Sequence, residues 1–397
     1  MPTVAAVLSL ALFAPASCRA QGGPPEIDEL RRRITVIRAE LPEISALATK
    51  LAPFLAQAAS SRLLIPRSLD PGFFLEFSVR AGGPPDTQDA DVSTLGGLAL
   101  LPVRHWDGTA FGVATRSERL QAQGRPVVVI GPASGRPDNL LGAAPFIDNG
   151  APDGHIANAS LNGVANLAAG WRLYAELVSA ATRAGWRPGV LRSVLVAGAD
   201  TFNASIRFRM PDAAPDPITA GTLGSAYLDA VDSILRLAAD PGHRATMDST
   251  AARLRELRQS GRRIFAGSCG HYLMEEIPRD AMISKTFAAL PGDRRPVQSG
   301  APFSSRGDAI IWFGYGGYDC PNATVADSFH TLGPQVVLVS DRPATDHRAD
   351  LLAEILLPWQ LPDGAIPLPF PPGLFAPLSS VDMAVHYVWL RRLLGSP

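Results

Sequence analysis

The sequence predicts an α/β protein with two tandem doubly wound parallel sheets flanked by helices. Strand-like and helix-like segments alternate along most of the chain, which favours parallel sheets. A strand–loop–helix unit occurs twice, about two hundred residues apart. The chain of 397 residues, 46% of them hydrophobic and 18% charged, is also long and apolar enough to form two cores.

The repeated unit is the main evidence for two similar halves. Its first copy is the apolar run 62–68 followed by 71–80, and its second copy is the run 262–270 followed by 271–276. A loop at the carboxyl end of a buried strand, leading into a helix N-terminus, is where open α/β sheets bind anionic ligands. Two such units indicate a two-lobed protein that binds a small molecule.

The first half contains several periodic segments. Apolar residues spaced by three and four from Ile27 to Leu55 predict a long helix, or a pair of helices interrupted near Pro42. The β-branched run 191–198 predicts a strand. A further strand is predicted over 125–131, residues 92–103 are apolar and contain glycine, and further helices are predicted over 111–123 and 164–184.

The second half repeats this order. Residues 227–259 are predicted to be helical with a break at 240–242, and a strand follows at Ile264. The Pro-, Ala- and Asp-rich stretch 210–222 is the best predicted domain boundary. The expected domains are therefore 25–212 and 222–397 with a linker at 213–221. Later strands are predicted within 308–319, at 334–341 and at Ile355, and helices over 324–332 and 381–394.

Residues 1–20 are predicted to be a signal peptide. An apolar run, 4–14, precedes a cleavage site that resembles A-x-A, so we expect a periplasmic or extracellular protein whose mature chain starts at Gln21. The first residues contain no Lys or Arg, so a misassigned start codon and a cytoplasmic protein remain the alternative. No other stretch is long and apolar enough to span a membrane. In an exported chain, Cys269 and Cys320 are two separate thiols or a disulfide, and the first reading is favoured.

Composition and spacing argue against several classes of function. The net charge of −1 does not favour nucleic acid as a partner. Only Lys50 and Lys285 are lysines, which excludes a lysine-rich phosphate site. The histidines lack metal-ligand spacing, no dinucleotide glycine motif occurs, and Ser134 is misplaced for a serine hydrolase. We therefore expect neither a metal nor a cofactor.

The order of several segments resembles the sugar isomerase (SIS) domain family of phosphosugar isomerases and phosphosugar-binding regulators. The segments are a leading helix, the turn 267–271, the strand 308–319, the step 333–341 and a last helix that opens at Ser379-Ser380. In the first half, 77–83 and 147–154 resemble segments of bacterial SIS proteins. The resemblance covers about 25–212 and 222–397. It implies binding of a carbohydrate derivative in a bacterial protein, and a homodimer.

One segment departs from the SIS pattern. SIS domains usually hold the sugar phosphate with a loop rich in Ser and Thr after the second strand. Here the corresponding loop, 314–319, exposes backbone at Gly314, Gly316 and Gly317, contains no Ser or Thr, and ends in Asp319, which would repel a phosphate. This departure argues against tight phosphate binding.

Candidate catalytic residues cluster at the second strand-to-helix turn. Aldose–ketose isomerisation needs a base, and His271, Glu275 and Glu276 are the candidates, since His271 and Glu275 share a helix face. In the alternative reading His271 caps the turn and both glutamates are solvated. The candidate ligand-binding residues lie in turns and at helix starts, where an ordinary structural role is the alternative: Ser268, Cys269, Gly314, Gly316, Gly317, Asp148, Asn149, Ser379 and Ser380.

Two hypotheses about function follow. In the first, a divergent SIS-type protein binds a sugar or sugar-phosphate-like ligand without efficient catalysis. In the second, the protein is an aldose–ketose isomerase that acts on a phosphosugar or amino sugar. The absence of hydroxyl side chains from 314–319 favours the first hypothesis.

Overall fold

The computed structural model describes most of the chain after residue 23. The predicted signal peptide, residues 1–20, lies outside the described residues. Within them, no helix is both long and apolar enough to cross a membrane. The described residues are 24–56, 62–78, 80–93, 96–137, 142, 144–154, 159–193, 197–211, 213–268, 271–277, 288–289, 307–315, 329, 333–343, 350–359 and 363–395.

The first half consists of alternating helices and strands, as predicted. Of the two alternatives predicted for 27–55, the structure shows the pair of helices. Pro42 lies in the first turn of the second helix, where its missing N–H is tolerated. The elements are α1 (Pro25–Ala39), α2 (Leu41–Ala56), β1 (Arg62–Ile65), α3 (Pro71–Ser78), β2 (Thr87–Asp89), β3 (Gly97–Pro102), α4 (Ala110–Ala122), β4 (Val127–Gly131), β5 (Phe146–Asp148), α5 (Ala159–Arg183), β6 (Arg187–Pro188), α6 (Ala199–Ser205) and β7 (Arg209–Met210).

The second half begins with two helices that break where predicted. Asp240 caps the second of them by accepting hydrogen bonds from the backbone N–H groups of Gly242 and His243. The elements are α7 (Thr222–Ala238), α8 (Pro241–Gln259), β8 (Ile264–Ser268), α9 (His271–Glu276), β9 (Ala288–Ala289), β10 (Ala309–Phe313), β11 (Gln335–Ser340), β12 (Asp350–Leu356), β13 (Ile366–Pro367), β14 (Leu374–Phe375) and α10 (Ser379–Gly395).

Each half forms one five-stranded parallel sheet. The first has the order β2-β1-β3-β4-β5 and the second the order β12-β11-β10-β8-β9. Read from the other end, the second order matches the first, and both are the flavodoxin-like arrangement. The predicted fold class, α/β with two parallel sheets flanked by helices, is confirmed.

The predicted strand at 191–198 is not found in the parts of the run that the structure describes, and 194–196 lie outside the described residues. Residues 191–193 and 197–198, the part of this run that the structure describes, form no strand. The backbone of Leu191 instead exchanges hydrogen bonds with Gly82 and Gly83, and the Asn203 side chain bonds both backbone groups of Arg192. Gly198 then adopts a left-handed conformation before α6. At Arg192, the side chain of Asn203 therefore makes the hydrogen bonds that a neighbouring strand would otherwise make.

The two halves share a core. One buried hydrophobic cluster includes Leu30 and Trp171 from the first half with Val231 and Trp389 from the second. A smaller cluster lies between α4 and the other face of the first sheet. Helices α1 and α10 also pack together, and Glu26 forms an ion pair with Arg392 there. The described ends of the chain are therefore neighbours.

The start of α7 is held by a carboxylate from the first half. The buried Glu176 side chain, on α5, accepts hydrogen bonds from the backbone N–H groups of Gly221 (2.8 Å) and Gly224 (3.0 Å). It also accepts one from the Ser45 hydroxyl on α2, at 2.6 Å. A negative charge at a helix N-terminus is favourable, and here it fixes the segment that leads into the second half.

Replacing Glu176 with Ala should destabilise the protein by about 3 kcal/mol, because buried donors lose their acceptor. The free energy of unfolding, from urea titration, is the measurement. Glu256→Ala, at an exposed position on α8, is the control and should change this energy by less than about 0.5 kcal/mol. Equal effects of the two substitutions would contradict the capping role of Glu176.

Candidate functional site

The strand order places one candidate site at the carboxyl end of each sheet. The chain leaves β1 toward β2 on one side and reaches β3 on the other, so a topological switch point lies between β1 and β3. We call the surroundings of this point the first edge: Arg67, Ser68, Asp70, Arg104 and His105, with Glu275 and Glu276 from α9. The second edge, near the carboxyl end of β10, comprises Tyr315, Asp363, Ser379 and Ser380, with Glu76 and Arg80 from the first half.

Arg104 organises the first edge. Its guanidinium group donates two hydrogen bonds to the carboxylate of Asp70, at 2.8 and 2.6 Å, and a third to Glu276. Burial alone would lower the pKa of Arg104, but these two carboxylates outweigh it and hold the pKa well above its ordinary value. Asp70 also accepts a hydrogen bond from the backbone N–H of Phe73 in the first turn of α3. The position where such a helix would hold an anion is therefore occupied by Asp70.

A second ion pair at the first edge is more exposed. Arg67 donates to Glu275 at 2.8 Å, and the Arg67 side chain is 53% exposed, against 15% for that of Glu275. With Arg104, Asp70 and Glu276, this pair gives three carboxylates against two guanidinium groups. The net charge of these five side chains is −1, so their field opposes an anionic ligand.

The second edge is organised by Arg80, which is only 3% exposed. Its guanidinium group donates to the Tyr315 hydroxyl at 2.6 Å, and to the Asp363 carboxylate and the Ser379 hydroxyl. Its Nε atom lies 3.5 Å from Oε1 of Glu76 in an ion pair. Asp363 also accepts from the backbone N–H of Ser379 at 3.3 Å, so a carboxylate again occupies a helix start.

Glu76, at the second edge, has a strongly perturbed pKa. Burial raises its pKa to about 7, and the lowering by Arg80 and by the Ser380 hydroxyl, which donates at 2.6 Å, offsets this only in part. A carboxyl group that can be neutral near pH 7 is frequent at functional sites but also occurs in structural ion-pair networks. Here the side chain is fully buried, which fits the second role.

At each edge, one glutamate comes from the other half of the chain. Helices α3 and α9 pack against each other, with the ring of Tyr272 against Gly72. Glu276 on α9 reaches Arg104 at the first edge, and Glu76 on α3 reaches Ser380 at the second edge. Each edge is therefore completed by a side chain from the other half.

Two of the three predicted catalytic residues belong to the first edge. Glu275 and Glu276 are on α9 and pair with Arg67 and Arg104. His271 begins α9, but its side chain lies outside the described residues. The structure thus brings both glutamates to a switch point, and their catalytic role stays a prediction.

The predicted ligand-binding residues are scattered. Ser268 ends β8 and is half-buried, and the backbone of Gly314 bonds to Val339 in β11. Asp148 accepts from two backbone N–H groups, while Asn149 is buried and bonds to Asn166 on α5. Ser379 and Ser380 are buried at the second edge. Cys269, Gly316, Gly317 and Cys320 lie outside the described residues. Ligand contact by any of these residues stays a prediction.

Sequence reasoning missed the residues that dominate the edges. These are Arg80, Arg104, Asp70 and Asp363, whose partners lie up to 299 residues away. It also missed His105, which follows Arg104 and has a buried Nδ1 atom without a hydrogen-bond partner in the described part of the chain. The position of Arg104 and His105 just after an apolar strand was the only available signal. Within the described part of the chain, no three or more His, Cys, Asp or Glu side chains are placed to hold a metal ion.

Comparison with known proteins identifies the fold. No family model and no curated protein matches the sequence. A candidate phosphosugar isomerase from Silicibacter pomeroyi matches at a TM-score of 0.50 and 14% identity, over 93% of this chain and 96% of that one. A candidate sugar-binding protein from Salmonella typhimurium matches at 0.50 and 10%, over 93% and 98%.

A third match extends the comparison to a larger enzyme. The C-terminal domain of glucosamine-fructose-6-phosphate aminotransferase from Francisella tularensis has a TM-score of 0.52 and 12% identity, over 93% of this chain and 92% of that one. The fold of the chain is therefore that of these sugar-related proteins.

Replacing Arg104 with Ala should cost about 3–5 kcal/mol of stability, because it leaves Asp70 and Glu276 as unpaired carboxylates. Arg67→Ala breaks an exposed pair at the same edge and should cost less than about 1 kcal/mol. Urea unfolding of both variants measures the difference. Similar losses would show that Arg104 does not organise the first edge.

The raised pKa of Glu76 predicts a pH dependence of stability. Because the folded protein binds this proton more tightly than the unfolded chain, the contribution of Glu76 to stability decreases as pH rises from about 4.5 to 7. The decrease is on the order of 3 kcal/mol. Glu76→Gln removes the titration, so the difference in unfolding free energy between wild type and variant should change over this range. A constant difference from pH 4 to 8 would contradict the assignment.

Proposed function

We propose that the protein binds a sugar or sugar-phosphate-like ligand at the first edge, without efficient catalysis. The observation that carries this proposal is the difference between the edges. At the first edge Arg67 and Ser68 are exposed and His105 is half-buried, whereas the side chains of the second edge are buried among one another. Polar groups at an exposed switch point suit the hydroxyl groups of a sugar. The names of the structurally similar proteins support the same ligand class.

An unphosphorylated ligand fits the first edge better than a phosphosugar. Asp70 occupies the start of α3, and the Nε and both Nη atoms of Arg104 already donate to carboxylates. A phosphate bound by Arg67 would lie near three carboxylates, those of Asp70, Glu275 and Glu276. The balance of charge therefore favours a neutral or amino sugar.

The same contacts argue against efficient isomerisation. A general base needs an oxygen directed at the proton that it removes from the substrate carbon, and both candidate glutamates at this edge direct an oxygen at a guanidinium group instead. Aldose–ketose isomerisation is the second candidate function. It is favoured by His105, whose buried Nδ1 atom has no hydrogen-bond partner among the described residues and could serve as a base for a substrate that reaches it.

Location and assembly are further parts of the proposal. The apolar N-terminal segment supports export to the periplasm or exterior. The SIS-type fold supports a homodimer. Size-exclusion chromatography with light scattering tests the dimer, and fractionation of cells that express the full chain tests export.

Isothermal titration with neutral sugars, amino sugars and their 6-phosphates tests the ligand site. We expect at least one sugar to bind, and its phosphate to bind at least about tenfold more weakly, a difference of about 1.4 kcal/mol. Glu275→Gln should weaken amino-sugar binding, while Glu118→Gln on the exposed face of α4 should not. Failure of every sugar to bind would contradict the proposal.

Catalysis is tested separately with the sugar that binds. Exchange of its C2 proton in deuterated water, followed by nuclear magnetic resonance, detects the proton transfer of an isomerase. We expect no exchange above the rate without protein. Exchange that Glu275→Gln leaves intact and His105→Ala abolishes would establish the second candidate function instead.

A further inference from the structure

The contacts of Arg80 have the geometry of a bound ligand. Its guanidinium group is enclosed by side chains from three separate segments: Tyr315 after β10, Asp363 before β13, and Ser379 at the start of α10. All three are at least nine-tenths buried. Glu76, one turn earlier on the same helix, adds a fourth partner.

The arrangement suits a guanidinium group in particular. The guanidinium donors form a planar fork: Nη1 and Nη2 donate hydrogen bonds, and Nε lies 3.5 Å from the Glu76 carboxylate in an ion pair. The ring of Tyr315 adds a cation–π contact, with its centroid 5.4 Å from Cζ of Arg80. An ammonium group has no such planar fork and could satisfy only part of this set.

We propose that the second edge is a guanidinium-binding site, and that the side chain of Arg80 is its resident ligand. Arg80 comes from the end of α3 in the first half, while Tyr315, Asp363 and Ser379 belong to the second half. The side chain thus closes the second edge to outside ligands and holds the halves together. This inference holds whatever the first edge binds.

A site of this kind should still recognise guanidinium after its resident ligand is removed. In Arg80→Ala, methylguanidinium has room to occupy the position of the lost group, between the Glu76 and Asp363 carboxylates. Its addition to the full chain at a hundred times its dissociation constant should raise the thermal midpoint by about 3 °C. The wild-type protein should show no such rise, because Arg80 already fills the site.

Two controls separate recognition from nonspecific stabilisation. N-methylurea has nearly the same shape without the charge and should leave the midpoint of Arg80→Ala unchanged. Arg263→Ala removes a half-exposed arginine from its pair with Asp308, and methylguanidinium should not stabilise this variant. Equal effects of N-methylurea and methylguanidinium, or no effect of either on folded Arg80→Ala, would overturn the proposal.

Arg80→Lys provides a second test if Arg80→Ala does not fold. In wild-type protein labelled with nitrogen-15 at arginine, the Nη protons of Arg80 should exchange with water at least about tenfold more slowly than those of exposed arginines. Arg80→Lys should remove this one set of slow signals. Absence of any slow set that depends on Arg80 would overturn the proposal.

Discussion

Two arginine side chains, each held between two carboxylates, connect the halves of this protein. Arg104 binds Asp70 and Glu276, and Arg80 binds Glu76 and Asp363. Removing these charges from water is costly, and the cost is recovered only when every partner is in place. The packing of α3 against α9, which brings the glutamates across, therefore depends on the same geometry as the two edges.

The two edges have similar arrangements of side chains, but these side chains differ in exposure to solvent. In both, one arginine lies between two carboxylates, one of which is at a helix start, and has a tyrosine ring nearby. At the first edge part of the charge faces solvent, as the exposed Arg67 shows. At the second edge the charges are buried. The same strand order thus places a polar surface at the first edge and a buried contact between the two halves at the second edge.

Local patterns in the sequence predicted the elements well. The apolar spacing from Ile27 to Leu55, the break before α8 and the two parallel sheets follow from periodicity and from proline positions. Within the described part of the run 191–198 no strand forms, and the sequence does not show that the Asn203 side chain bonds the backbone of Arg192 there. β-branched content alone does not establish a sheet partner.

The candidate site was only partly predictable. Glu275 and Glu276 were found because they follow an apolar strand. Arg80 and Arg104 were not, since their partners in the second half are 172 to 299 residues away and no local sequence pattern indicates those contacts. The usual expectation that arginine faces solvent also argues against a buried Arg80. Only the three-dimensional arrangement shows that its charge is compensated.

The ion pair between Glu26 and Arg392 bears on how the two halves could be connected. It places the start of α1 beside the last turns of α10, so a short peptide could join them. A circular permutant opened within 213–221 would then keep both sheets, the shared core and each crossed contact, with Glu176 still at the start of α7. The order of the halves along the chain is one of two that this architecture allows.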